Sequence, residues 1–482
     1  MTSIDLLIKN ATVVTMNEAR SVHEHGFVAV QDDRIVAVGA MDDCPYDSAA
    51  KVIDAETKVV LPGFISTHTH VNDALLRGGL TDDKLLYDWL FNSIYAGVAA
   101  QTQSDLDAAS SLWCMDAIRA GVTTFVDNHD YATDRIDMSI DTHVDNYDKF
   151  GLRAVMVRQF IDHFSEGMEE YLDVVFARGP EKRLPWEVHE ETDAALASME
   201  ATIKRHKGRA DGRIDVWASP TVAVMTSVEG LLKSKALAKK YNTKLTCHTS
   251  ESHNDNRRAG VSTIEFLATL DMLGPDYIAV HCTQIDDNDI RILSRTGTPV
   301  AHCVAANMFT GEGIPPLTDM HTAGILTGMG TDNTTANNNI NILADMKTVA
   351  LAQKGKYESA VAITAEKVLE MATIEGAQVL GMDKDIGSLE AGKKADINIL
   401  DFSGTHLVPR HNVISMLVYQ ALGNEVETVL VDGKILMENR ILTLFTREEE
   451  AEKLRSIQAA ADGVVERSGL VKAREWTAYK AV

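Results

Sequence analysis

Basic residues are scarce in this chain: 46 Lys and Arg stand against 70 Asp and Glu, a net charge of -24. No basic cluster could follow a phosphate backbone, so nucleic acid and anionic membranes are poor partners. Long apolar runs are missing as well. No stretch reaches the length of a membrane span, and the opening Met1-Thr2-Ser3-Ile4-Asp5 lacks a basic region followed by an apolar core. The expectation is a cytoplasmic protein. Cysteine is rare and unpaired: Cys44, Cys114, Cys247, Cys282 and Cys303 make an odd count with no Cys-x-x-Cys spacing. Neither a disulfide framework nor a thiolate zinc site is indicated.

What the chain does carry is a set of short β-prone segments, each ending in a chemically active side chain. Pro62-Gly63 restarts an apolar run as a strand holding His68 and His70 at i and i+2. Alternation puts both imidazoles on one face, where they can bind one cation. Lys244 to Ser250 ends with His248 and is followed by Glu251, Asp276 to Thr283 carries His281, Pro299 to Val304 carries His302, and Ile325 to Asp332 ends in Asp332. Helical patterns precede these segments, and polar groups at the C-terminal ends of successive parallel strands are where a (β/α)8 TIM barrel builds its site. Gly121 to Asn128, Leu152 to Phe160 and Arg213 to Thr221 supply the remaining strands, and Asp105 to Ala120, Glu187 to Arg205 and Val228 to Lys240 read as crossover helices. Three cysteines adjoin a site histidine. If His248, His281 and His302 face the mouth, alternation turns Cys247, Cys282 and Cys303 toward the surrounding helices.

A barrel needs only about 250 residues, and the chain has 482, of which 45% are hydrophobic. The excess lies at the two ends. Residues 1–60 read as strands and hairpins with a turn at Asp32-Asp33, and the pattern returns from Ser388 to Leu442 with a turn at Asp432-Gly433. Neither end has enough strands for its own core, so one small β-sandwich shared by both is expected. The α/β chain thus divides into residues 1–60 (N-terminal part of the sandwich), 61–380 (barrel), 381–445 (C-terminal part) and 446–482, a helical tail with a capping box at Thr446 and Glu449.

The segments PGFISTHTH, HTSE, HCVAANMFTGEGIPPL and GTDN, the His281 strand, and the terminal EAGKKADINILD and VETVLVDGKIL occur in this order along nearly the whole length. In them the chain resembles the amidohydrolase superfamily, in the branch that holds the atrazine chlorohydrolase, melamine deaminase and related aminohydrolases. The donor types His68, His70, His248 and Asp332 suit one divalent ion per subunit, zinc or iron(II), with zinc preferred and a position left for water. Members with two metals bridge them by a modified lysine on the fourth strand. Here that strand ends Trp217-Ala218-Ser219-Pro220-Thr221 without lysine, so a mononuclear site is expected. Glu251 matches the His-x-x-Glu element of the deaminase-like subgroup, which implies a proton shuttle. His281 would orient water, polarise the electrophile or ligate metal, and Asp332 would share the base role.

Trp89, His302, Asn307, Asn333, Gln159 and Asp255 are the candidate substrate contacts, with Asn72 and Asn128 behind them. The stretch Tyr87-Asp88-Trp89-Leu90-Phe91 reads equally as an aromatic wall or a core helix. The expected reaction displaces an amine from a nitrogen heterocycle or related amide by activated water. Triazine dechlorination and phenylurea or thiocarbamate hydrolysis are the alternatives. A non-catalytic scaffold on this fold would be expected to lose ligands, which this chain keeps. A small nitrogen-containing substrate and a homo-oligomer, dimer or higher, are the expected partners. After the metal aspartate the chlorohydrolase carries Asn and, at the fourth position, Ser, whereas the melamine deaminase carries Asp and Cys. This chain keeps Asn333 but has Ala336, which can neither donate nor accept a hydrogen bond.

Overall fold

A computed structural model of the chain describes residues 4–80, 82–129, 134–164, 168–177 and 188–470. The first strands are β1 (Ile4–Val14), β2 (Val22–Gln31), β3 (Arg34–Ala40), β4 (Ala49–Asp54) and β5 (Lys58–Pro62). Next come β6 (Phe64–His70), β7 (Val122–His129), β8 (Arg153–Phe160), β9 (Ile214–Pro220) and β10 (Leu245–Thr249). A small hairpin, β11 (Arg257–Arg258) and β12 (Val261–Ser262), precedes β13 (Tyr277–His281), β14 (Val300–His302), β15 (Thr327–Met329) and β16 (Asp332–Asn333). The chain returns through β17 (Ile397–Asp401), β18 (Val426–Val431), β19 (Lys434–Glu438) and β20 (Ile441–Leu442).

The ends of the chain do meet. Their nine strands form one sheet in the order β20-β19-β18-β17-β5-β1-β2-β3, with β4 paired to β1. The seam between the halves is β5 against β17, antiparallel from Lys58↔Asp401 to Pro62↔Ile397. The Asp432-Gly433 turn has positive φ at both residues, 46° and 71°, the conformation that matches the twist of a two-residue hairpin.

The segments expected to make the barrel form two parallel sheets, β16-β6-β7-β8-β9 and β10-β13-β14-β15. They touch at both edges without one continuous ladder. His248 N–H donates to the Thr221 carbonyl at 3.1 Å on one side, and Thr67 Oγ1 donates to the Met329 carbonyl at 3.0 Å on the other. Val126, Val155, Val157, Trp217, Ile278, Val280 and Ala301 share a core between the strands. The crossover helices stand close to where the sequence put them: Gln103–Arg119, capped by a Thr102/Asp105 box, Thr192–His206 and Val228–Tyr241. Glu187, where the second was expected to begin, lies outside the described residues, as do residues 471–482 of the expected tail. The tail helix Arg447–Ser468 starts at the predicted Thr446/Glu449 box.

Arg153 ties the end sheet to β8. Buried, it donates to Asp396 at 3.1 and 3.2 Å and to Asp432 at 2.5 Å. Among the described residues no helix is long and apolar enough to cross a membrane.

Candidate active site

His68, His70, His248, His281, Asp332 and Glu251 converge at one end of the two parallel sheets. The Nε2 atoms of His68 and His70 are 3.2 Å apart, and those of His70 and His248 3.3 Å. Asp332 Oδ1 lies 3.3 Å from His68 Nε2 and 3.7 Å from His70 Nε2, buried and with no hydrogen-bond donor. Potential ligand atoms of His68, His248 and His281 likewise lie within 4.8 Å of one another. Glu251 Oε2 stands 3.5 Å from His281 Nε2.

Burial and then His248 hold the His68 imidazole well below the ordinary histidine range. Burial, His68 and His248 bring His70 down to about 3. At His281 burial outweighs the opposing charge of Asp332 and the pKa again falls well below normal. These rings are therefore neutral, the form that donates a lone pair. Burial first, then Asp332, Asp255 and Glu312, push the Glu251 carboxyl well above its usual range, which suits a group that holds and passes a proton.

The backbone aims these side chains by departing from regular strand. Ile65 belongs to the inner core, so strict alternation would turn His68 outward. A register shift between Ser66 and Thr69 restores both histidines to the inside. On β13, Ile278 and Val280 are inward, and His281 reaches the site because its φ is 71°. Ser250 and Asp332 also have positive φ, 52° and 59°. Such positions cost roughly 1–3 kcal/mol each and gather where surrounding structure enforces them.

His302 departs from the expectation. On β14 it is Ala301 and Cys303 that belong to the inner core, so the phase of the strand is opposite to that assumed. His302 is buried beside His321, with neither ring nitrogen hydrogen-bonded; burial, then His321, lowers it to about 3. Cys303, expected to face the helices, instead has its sulfur within 4.8 Å of ligand atoms of His281 and Asp332. Cys247 and Cys282 do pack in the core shared with the helices.

A cavity lined by His70, His248, Glu251, His281 and Asp332 opens on the cluster. Of the six expected substrate contacts, Trp89 and Asn333 line it. Gln159, Asn307 and Asp255 sit behind the lining. Gln159 Nε2 donates to Asn128 Oδ1 at 3.2 Å, and the Asn128 carboxamide lies 2.7 Å from His68 Nδ1. The Asn307 carboxamide is 3.1 Å from His281 Nδ1. Asp255 accepts from the backbone N–H groups of Glu251 and Ser252 at 3.1 and 2.6 Å, fixing the Glu251 loop. His248 Nδ1 donates to the Thr221 carbonyl at 2.6 Å, which leaves its Nε2 lone pair for the site.

Asn72, a weaker candidate, also lines the cavity. So do Leu86, Tyr87, Leu90, Ile94 and Tyr95, of which Leu86, Ile94 and Tyr95 lie outside the stretch read as an aromatic wall or core helix. They lie on a short α-helix, Leu86–Trp89, a π-helical turn, Leu90–Ile94, and a second α-helix, Tyr95–Ala99. The apolar run LLYDWLF was the available signal.

A second buried group, Asp127, His129 and His143, also has ligand atoms within 4.8 Å. Its carboxylate is already engaged, by Val71 N–H at 3.0 Å and Tyr147 OH at 2.6 Å. It therefore pins the backbone next to His70.

Residues 59–436 match the profile of the Amidohydrolase family. The chain is 34% identical over 460 residues to a 5'-deoxyadenosine deaminase of Methanobrevibacter smithii, covering 94% of this chain and 98% of that protein. It is 35% identical over 327 residues to an S-triazine hydrolase of Gordonia rubripertincta, 68% of each. A crystal structure of an adenosine deaminase from Xanthomonas campestris with bound zinc superposes with a TM-score of 0.85 at 25% identity, over 96% of this chain and 99% of that one.

Proposed function

The chain belongs to the amidohydrolase family, and from that premise we propose that it is a metal-dependent deaminase of amino-bearing nitrogen heterocycles, adenine nucleosides being the class that fits best. The carrying observation is the cluster itself, neutral imidazoles and a donor-less carboxylate with the Glu251 carboxyl 3.5 Å from His281. The reaction consumes one water: a C–O bond forms at the ring carbon, the exocyclic C–N bond breaks, and ammonia leaves a ring carbonyl behind. We read residues 61–380 as a (β/α)8 barrel closed by the two parallel sheets. Residues 1–60 and 381–445 form the flanking β-sandwich, and 446–482 the tail.

The donors fit a divalent cation. Ligand atoms about 2.1 Å from a tetrahedral zinc stand about 3.4 Å from each other; His68–His70, His70–His248, His68–Asp332 and His70–Asp332 are separated by 3.2, 3.3, 3.3 and 3.7 Å. The orphaned Asp332 oxygen needs a positive partner. These four residues would hold one zinc or iron(II), whose Lewis acidity makes water nucleophilic near neutral pH. Glu251 takes one proton of the attacking water and delivers it to the ring nitrogen, then carries the second, from the added hydroxyl, to the departing amine. His281, 3.5 Å from Glu251, orients the water and polarises the electrophilic carbon. Trp89, Tyr87 and Tyr95 exclude solvent and offer flat faces to a heterocycle. Ala336 lines the same cavity with a methyl group.

The test is a substrate panel on metal-replete enzyme: adenine nucleosides, amino-triazines, aminopyrimidines, chlorinated triazines and phenylureas. Ammonia release from an amino-bearing ring should exceed chloride and other amine release. Chloride release above every ammonia signal would replace this reading with a dechlorinase.

A further inference from the structure

One buried carboxylate beside the cavity is used by nothing in the chemistry above. Asp73 lies three residues past His70, fully buried, at the start of the turn Ala74–Leu76. All four donors it engages come from the segment after Asp332. Asn333 Nδ2 donates to Oδ2 at 3.1 Å, Thr334 Oγ1 to Oδ1 at 3.0 Å, and Thr335 to Oδ2 through both N–H at 3.3 Å and Oγ1 at 2.5 Å. A carboxylate in this setting only accepts. The amide of Asn333 therefore has one sense: its nitrogen is drawn to Asp73, and the oxygen is left on the other branch. Asn333 lines the cavity beside His70, Trp89 and Ala336.

We propose that Asp73 is a positioning residue that locks Asn333 with its amide oxygen toward the substrate, so that the site presents a hydrogen-bond acceptor to the substrate's exocyclic amino group. This rests on the deaminase reading and sharpens it. An amino group donates to such an oxygen. A chlorine in the same place has no hydrogen to donate and forfeits that bond. A freely turning asparagine would serve either, by presenting nitrogen or oxygen as required. The Asp73 contact removes that choice and gives Asn333 the polarity of an aspartate without a second negative charge beside Asp332.

The test compares 6-amino- and 6-chloropurine ribosides, which yield the same ring product, by ammonia and chloride release. In the D73N and N333A variants the amino-over-chloro ratio of kcat/KM should fall by about tenfold or more, the scale of one lost discriminating hydrogen bond, with metal content unchanged. The double variant D73N/N333D exchanges donor and acceptor across the contact and keeps an oxygen toward the cavity, so it should recover most of the ratio. Equal losses on both substrates, an unchanged ratio, or no recovery in the exchange would overturn the proposal. The same two ribosides are also titrated into metal-loaded Glu251→Gln protein, alone and combined with N333A, by calorimetry. There the N333A change should erase a binding preference for the amino compound, and persistence of that preference would overturn the proposal. If wild-type enzyme released ammonia from no ring, the deaminase reading would fail while this binding ratio still judged Asn333.

Discussion

In the proposed reaction Glu251 is the residue on which the chemistry turns. Burial first, then Asp332, Asp255 and Glu312, push its carboxyl well above the usual range, and the Asp255 contacts fix the loop that carries it. Glu251→Gln keeps shape but can neither take nor pass a proton, so kcat should drop by about two to four orders of magnitude with bound metal retained. Stoichiometric metal by elemental analysis together with undiminished turnover would move the shuttle to His281 or Asp332. The candidate metal donors and Glu251 were legible in the sequence because each lies at or just past the end of a β-prone segment and carries a side chain whose burial is costly without a partner. Gln159, Asn307 and Asp255 were found as polar residues near the mouth, but nothing linear tells a group that touches substrate from one that holds a histidine. Asp73 gave no signal, because its four partners lie some 260 positions away.

At the scale of elements, the sequence located every site strand to within a few residues, and the errors lie in phase. A bulge rescues the His68 and His70 reading, a positive φ rescues His281, and no such device acts on β14, where His302 and Cys303 exchange sides. The cavity wall was obscured for a related reason. A π-helical turn at Leu90–Ile94 shifts the 3.6-residue phase in mid-segment, so no single helical face contains Leu86, Tyr87, Leu90, Ile94 and Tyr95. The helix Ile342–Lys356 carries a pH dependence of its own. Burial pushes Asp345 up to about 7, opposed only by the Asn337 amide at 2.9 Å. The folded chain thus keeps a proton that the unfolded chain loses near 3.8, so this contribution is full below about pH 4, declines as pH rises, and is gone above about 7. Asp345→Asn should flatten that slope and raise stability at pH 8 by up to about 4 kcal/mol. Denaturant titrations at pH 5 and pH 8 measure it; identical pH dependence in variant and wild type would refute it.

The end sheet is held to the catalytic strands by a few polar contacts in a mostly apolar setting. Arg153 joins β8 to Asp396 and Asp432 of the end sheet, and Asn398 Nδ2 donates to the Gly121 carbonyl at 2.8 Å beside it. Arg153→Ala leaves two buried carboxylates facing each other and should cost about 3–5 kcal/mol of unfolding free energy. Metal content and the kcat of the surviving folded protein should stay near wild type, since the contact is remote from the histidines. A loss of kcat matching the loss of stability would show that the sheet shapes the site. The seam also fixes a timetable. Strand β5 is made before the whole catalytic region and its partner β17 after it, an interval of some tens of seconds at roughly 5–20 residues per second. For that time β5 carries an open apolar edge, so a ribosome stalled before β17 would hold a chain whose unpaired strand invites chaperones or neighbouring copies.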